Sequence, residues 1–237
     1  MLIQYRNRPK RRILQTMEPP VVTSQPRQAR AVERREQLLD AAARVLSQRG
    51  YADAQMEEIA AAADTSKGGL YFHFSTKEAL VAAVIGRAGD ILRRRVDRAM
   101  SDAGPDPVAR ADAALATLID TLSAHRSLAR VLVSETLAGS APARERIAAI
   151  EDEFVDIVAN ELRLALDAGQ LRNLDAPLDP DLTARAWVGM VQSTLSAWAA
   201  GRVSTPIERI YPELRRLLLR SAGVPLESAS RELATRE

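Results

Sequence analysis

Gln55-Met56-Glu57-Glu58-Ile59-Ala60-Ala61-Ala62-Ala63-Asp64-Thr65-Ser66-Lys67-Gly68-Gly69-Leu70-Tyr71-Phe72-His73-Phe74 reads as two short helices with a tight break between them. Met56, Ile59, Ala60 and Ala63 recur at three- and four-residue spacing and so share one face of a helix of about two turns. Asp64-Thr65-Ser66 interrupts that helix, because these side chains bond to nearby backbone and favour turns and N-caps. A second helix is therefore expected to start at Ser66 or Lys67. Leu70 and Phe74, four apart, fall on its buried side, which leaves Lys67, Gly68, Gly69, Tyr71, Phe72 and His73 on the first turn and the outward faces. Phe72 lies two positions from Phe74 and cannot share its face, so it is expected outside. A short helix that presents a cation, two residues without side chains and an aromatic can approach another surface closely. Helix-turn-helix units place the start of the second helix in the major groove of DNA in this way.

The pattern is also specific. Ser66 to Phe74 followed by Ser75-Thr76-Lys77-Glu78-Ala79-Leu80 resembles the signature of the TetR family of bacterial repressors. Leu38-Leu39-Asp40-Ala41-Ala42 and Gly50-Tyr51 resemble that family's first helix and its exit, and Glu58-Ile59-Ala60 its second helix. Two positions depart from it: Gln55 stands where Ser or Thr is usual, and Asp64 where Gly is usual, so Asp64 must take a left-handed conformation. The resemblance implies an all-α chain with an N-terminal three-helix DNA-binding module, then a helical ligand-binding and dimerisation domain, about nine helices in all. It places DNA contacts on Gln55, Thr65, Ser66, Lys67, Gly68, Gly69, Tyr71, Phe72, His73 and Lys77. The expected divisions are an extension over 1–29, the DNA-binding module over 30–77, the larger domain over 78–223 and a tail over 224–237.

Composition agrees. Aromatics make up only 4% of 237 residues, while alanine and leucine abound, which favours helices. There is no cysteine, which excludes disulfides and thiolate metal sites and fits a reducing cytoplasm. No apolar run reaches the ~18 residues of a membrane span, and the first residues lack the apolar core of a signal peptide. Residues 1–77 carry 13 basic against 8 acidic residues, the remainder 20 against 23, so the positive excess lies with the proposed DNA-binding end. The two histidines, His73 and His125, are far apart and no nucleophile, base or metal cluster is visible, so neither enzyme activity nor a cofactor is expected.

Residues 1–29 hold Pro9, Pro19, Pro20 and Pro26 and read either as a basic arm (Arg6, Arg8, Lys10, Arg11, Arg12) or as a simple tail. From Arg30 to Arg49 a stripe of Leu38, Leu39, Ala42, Val45 and Leu46 is expected to pack on the motif helices, with Gly50 as the stop. Ser75 and Glu78 read as a capping box opening a long helix to about Met100, with Leu80, Val84, Ile85, Ile91 and Leu92 inside and Lys77 projecting towards the motif. Asp106 and Pro107 mark an N-cap and first helical position. Helices are then expected over about 107–124, 127–137 and 142–168, ending at Gly169. One carries Leu115, Leu118, Ile119 and Leu122; another carries Ile147, Ile150, Phe154, Ile157 and Val158. Asp179-Pro180 opens the next helix, with Leu182, Ala186, Trp187, Met190, Thr194, Leu195 and Trp198. Thr205-Pro206-Ile207-Glu208 reads as a further capping box before Ile210, Leu214, Leu217 and Leu218.

Periodicity alone leaves open whether these stripes fill a core or line a pocket. The resemblance implies a small-molecule cavity, with Ile91, Leu118, Leu122, His125, Leu132, Glu135, Phe154, Ile157, Met190 and Thr194 as candidate contacts. It also implies a homodimer through the last two helices, with Trp187, Val191, Leu195, Trp198, Ile210, Leu214 and Leu217 at the interface. The partners expected are thus a double-stranded operator, a small-molecule effector and a second copy of the chain, with no membrane. The alternative is a helical scaffold that binds a protein through residues 179–222 and has lost operator recognition.

Overall fold

The computed structural model describes residues 27–125, 129, 140–171 and 177–224. The extension over 1–26, most of the expected helix at 127–137 and the tail from 225 lie outside the described residues. So do Leu132 and Glu135. Eight helices and no strand are present among the described residues: α1 (Arg27–Asp53), α2 (Met56–Ala62), α3 (Lys67–His73), α4 (Lys77–Asp102), α5 (Pro107–Ala124), α6 (Ala141–Asp167), α7 (Pro180–Ala199) and α8 (Ile207–Ser221). The chain is all-helical, as its sequence pattern requires.

The first three helices form a small module on one core. Leu38, Leu39, Leu46, Ile59 and Leu70 are almost fully buried there, with Met56, Ala60 and Phe74 beside them. A seven-residue helix such as α3 has no stability of its own. Burial of Leu70, worth ~2 kcal/mol, and the cap from Ser66, whose Oγ accepts from the Gly69 amide at 3.1 Å, hold it in place. Gly50, at φ 74°, breaks the regular course of α1. Asp64, at φ 51°, is the one non-glycine described residue in the left-handed region, and Arg34 clamps its carbonyl at 2.7 Å.

Two of the expected caps are placed differently. Thr76, not Ser75, caps α4, its Oγ1 accepting from the Ala79 amide at 3.1 Å. The Glu78 carboxylate instead accepts from the Tyr51 hydroxyl at 2.7 Å, a bond that lowers its pKa from the ordinary carboxylate value. At α8 the N-cap is Pro206 and no side chain caps the helix. In both cases the spacing of a capping box is present but the helix starts one residue later than the box requires. Asp106 and Asp179 do cap α5 and α7, each with proline in the first turn.

The 26-residue α4 joins the two halves. Its first turns place Leu80, Val81, Val84 and Ile85 in the N-terminal core. Arg87 ties it to α1 through Glu36 at 2.8 Å and Asp40 at 2.7 Å. Farther along, Leu92, Val96 and Met100 pack with Leu118, Phe154 and Ile157. Ala143 and Ile147 of α6 belong to the same buried cluster as the DNA-proximal helices, so the second half reaches into the first.

Glycine makes that approach possible. A Cβ on Gly89 would lie 2.6 Å from Cδ1 and 2.8 Å from Cγ1 of Ile150, and one on Gly86 would lie 3.0 Å from the Arg146 guanidinium. Turning the Ile150 terminus alone would not clear Cγ1, and the χ1 of an isoleucine in a helix is stiff. Gly89→Ala should therefore cost more through overpacking, ~1–3 kcal/mol, than the ~1 kcal/mol it gains in helix propensity. The expected outcome is a lower melting temperature for Gly89→Ala and, in a double-mutant cycle with Ile150→Val, a favourable coupling of about 1 kcal/mol. Additive effects would show that the contact is not close.

Candidate functional site

Two surfaces invite function, one on α3 and one inside the C-terminal half. On α3, Phe72 is 86% exposed and Tyr71 40%, while Leu70 and Phe74 turn inwards, the division expected from their spacing. Phe72 meets the ring of His73 edge to face at 5.3 Å. Lys67 pairs with Glu57 of α2 and lies 5.8 Å above the Tyr71 ring; the hydrogen bond from Lys67 lowers the Glu57 pKa. Gln55 caps α2 with backbone only, leaving its exposed side chain unused there.

The two glycines have different reasons. A Cβ on Gly69 would fall 2.6 Å from the Thr65 hydroxyl, so a side chain here would make Thr65 turn away. Gly68 has only Ser66 Oγ near, at 3.9 Å, and faces open space. Close approach to an external surface is the one reason on view for Gly68, while Gly69 also leaves room for the Thr65 hydroxyl. Lys77 bends back towards the end of α1: its Nζ donates to the Ala52 carbonyl at 3.3 Å and sits 4.6 Å above the Tyr51 ring. This uses one of the three N–H bonds of its ammonium group.

The second surface is a cavity of roughly 210 Å³ enclosed mainly by α4 to α8. Leu92, Leu115, Leu118, Leu122, Ile147, Ile150, Phe154, Trp187, Val191, Leu195 and Trp198 make its wall largely apolar. Of the residues expected there, Leu118, Leu122 and Phe154 are present. Ile91 is displaced by its neighbour Leu92, His125 is exposed at the end of α5, and Ile157 packs against Leu92, Val96 and Met100. Met190 and Thr194 also lie off the wall, the Thr194 hydroxyl bonding the Met190 carbonyl at 2.8 Å. On α7 the wall is made by Trp187, Val188, Val191, Gln192 and Leu195, about one position round the helix from the expected set.

The same placement corrects four of the seven proposed dimer contacts. Val191, Leu195, Ile210 and Leu214 are buried within the protomer against Leu115, Ile119 and Leu122, and Trp187 and Trp198 face the cavity. Leu217 is the only one of the seven that is more than half exposed. Helical period marks an apolar face but not which neighbour covers it, and here α8 packs chiefly on α5 of its own chain.

Polar groups in the wall have no signal in the sequence. Glu151 accepts from the Gln192 amide; burial, with the nearby Asp152 charge, raises its pKa. At the other side Asp112 Oδ1 accepts from the Tyr211 hydroxyl at 2.9 Å and from Arg215 Nε at 2.8 Å. Burial and the Asp112 carboxylate hold the Tyr211 phenol well above its ordinary range. A separate open cleft among Arg93, Asp97, Arg110, Glu153 and Glu161 is charged, and most of those charges are paired with one another. No group of three potential metal ligands is found among the described residues, and none of the described helices is long and apolar enough to cross a membrane.

The chain as a whole is similar to known regulators. The N-terminal model of the bacterial regulatory proteins of the tetR family covers residues 38–84, and a tetracyclin repressor-like C-terminal domain covers 104–204. The HTH-type transcriptional repressor DhaR of Mycobacterium sp. (strain GP1) is 26% identical over 187 residues, 79% of this chain and 93% of DhaR. FadR of Bacillus subtilis, solved with stearoyl-CoA, shares the fold at a TM-score of 0.68 and 20% identity, over 77% of this chain and 96% of its own. AibR, solved with isovaleryl coenzyme A and operator DNA, is 27% identical at a TM-score of 0.62, over 78% and 97%. A helix-turn-helix module on α2 and α3, joined by α4 to a helical domain with an apolar cavity, places this chain in the tetR family of bacterial transcriptional regulators.

Proposed function

We propose that the protein binds a two-fold-symmetric operator as a homodimer through α3 and that a small molecule in the cavity releases it. The observation that carries this reading is the double membership of α6: Ile147 lies in the buried core of the DNA-binding module and also in the cavity wall, and Ile150 lines the cavity while pressing on Gly89 of α4. Filling the cavity therefore acts on side chains that also position the reading helix. An effector shifts the equilibrium only by its differential affinity for the two states. A ligand that needs Ile150 displaced would favour the state that fits DNA less well.

For the operator contacts, Tyr71, Phe72 and Gly68 form the exposed face of α3, with Lys67 and His73 beside them and Gln55, Thr65, Ser66 and Lys77 around its start. Two such helices must sit about 34 Å apart to meet successive major grooves. The outer face of α7, where Leu182, Ala186, Gly189 and Ser193 are exposed, together with Leu217 of α8, supports close packing of a second copy. The similarity to DhaR, a repressor, and to AibR, solved with an acyl coenzyme A and operator DNA, supports ligand-released repression.

Titration of purified protein against DNA flanking its own gene, at several salt concentrations, tests the interface. Lys77→Ala should weaken binding and lower the salt slope by about one unit, as expected for loss of one phosphate contact. Tyr71→Ala should weaken binding with little change of slope, and both variants should stay dimeric by sedimentation. Loss of the dimer, or no effect on affinity in either variant, contradicts the assignment. Coupling is tested by Ile150→Ala, which should retain operator affinity yet require several-fold more effector for release; an unchanged release curve would remove Ile150 from the route.

A further inference from the structure

We propose that the cavity takes an acyl ligand, its hydrocarbon chain among Leu92, Leu115, Leu118, Phe154 and Leu195 and its carbonyl or carboxylate oxygen on the terminal nitrogens of Arg215. This rests on the cavity being the effector site and names the chemistry it selects. Arg215 is the only cationic side chain in the wall among the described residues. Its side chain is 18% exposed, its Nε donates to Asp112 Oδ1, the Tyr211 hydroxyl lies within reach of the same guanidinium, and no other described residue bonds its terminal nitrogens. They are also not sealed from solvent or cavity, since among described atoms only Arg110 Nε and Glu161 Oε2 are both buried and unpartnered.

The remaining polar groups point to the same head group. Asp112 accepts from one N–H of Arg215 and from the Tyr211 hydroxyl, which also neighbours the guanidinium, so the group is fixed in orientation with N–H donors left over on its planar fork. A fork of that kind matches an oxygen acceptor, and best a carboxylate. A cationic head finds no counterpart: Asp112 is already paired, and Glu151 accepts from Gln192 and is pushed by burial towards its neutral form. The rest of the wall is aliphatic or aromatic and suits an alkyl chain.

Calorimetry on the full chain with four ten-carbon probes tests this: decanoate, decanoyl coenzyme A, 1-decanol and decylammonium. Either acyl probe, or both, should bind at least about tenfold more tightly than decanol, the expected weight of a charge-assisted hydrogen bond, and decylammonium should bind most weakly. Binding of decanoate alone identifies a free acid, and of the thioester alone a coenzyme A ester; each outcome supports the acyl assignment. In Arg215→Gln/Asp112→Asn, which removes both charges of the pair together, the acyl preference should vanish while decanol binding stays. Arg215→Lys, which keeps the charge but not the fork, should keep the fold and lose most of the preference. Decanol or decylammonium binding as tightly as the acyl probes, or a preference that survives in both variants, overturns the anchor and leaves the cavity as effector site. Failure of all four probes to bind overturns the cavity reading itself.

Discussion

The contact between α6 and α4 is the constraint on which the rest of the molecule depends. Gly86 and Gly89 remove two side chains from α4, and α6 closes to a distance that an alanine at 89 would not permit. Because of that closeness, Ala143 and Ile147 enter the core formed by α1 to α4, and no layer of solvent or loop separates the DNA-binding module from the cavity. Packed interiors move between discrete arrangements and do not deform smoothly. A shift of α6 must therefore be taken up by α4, and α4 carries with it the Arg87 clamp on Glu36 and Asp40 and the Tyr51–Glu78 bond at its other end.

The side of α3 proposed to face DNA is already partly occupied by its own chain. Lys67 pairs with Glu57, and Lys77 donates to the Ala52 carbonyl over the Tyr51 ring. Such exposed pairs are weak, so exchanging Glu57 for a phosphate costs little. They do hold both cations in fixed positions in the absence of a partner. Phe72 by contrast has no such substitute: its exposed ring touches only His73 among the described ring contacts and gains most from a partner surface.

Much of this was legible in the residues. The split of Leu70 and Phe74 from Tyr71 and Phe72 followed from helical period, and the left-handed Asp64 followed from the turn that the motif demands. The proline-linked caps Asp106 and Asp179 were equally plain, since only a few residue types can satisfy free amides at that point. The cavity was not. Period assigns Leu118 and Leu122 to an inner face, but choosing Leu92 over Ile91, or Val191 over Thr194, needs the angle at which helices cross. Glu151, Gln192, Asp112 and Arg215 escape a sequence reading because a polar side chain inside an apolar wall leaves no periodic trace. The inward burial of Ile210 and Leu214 escaped for the same reason: an apolar face on α8 fits α5 of its own chain as well as a second copy.

Allosteric coupling is reciprocal, so the factor by which an effector weakens DNA binding must equal the factor by which DNA weakens effector binding. The decisive measurement is the affinity of decanoate or decanoyl coenzyme A, whichever the free protein binds, determined again with the operator saturating. If the cavity and α3 are joined through Ile147 and Ile150, the acyl probe should bind more weakly to the DNA complex, by the same factor that it lowers operator affinity. An affinity unchanged by DNA would show that cavity and reading helix are independent and would contradict the role given to the α6–α4 contact.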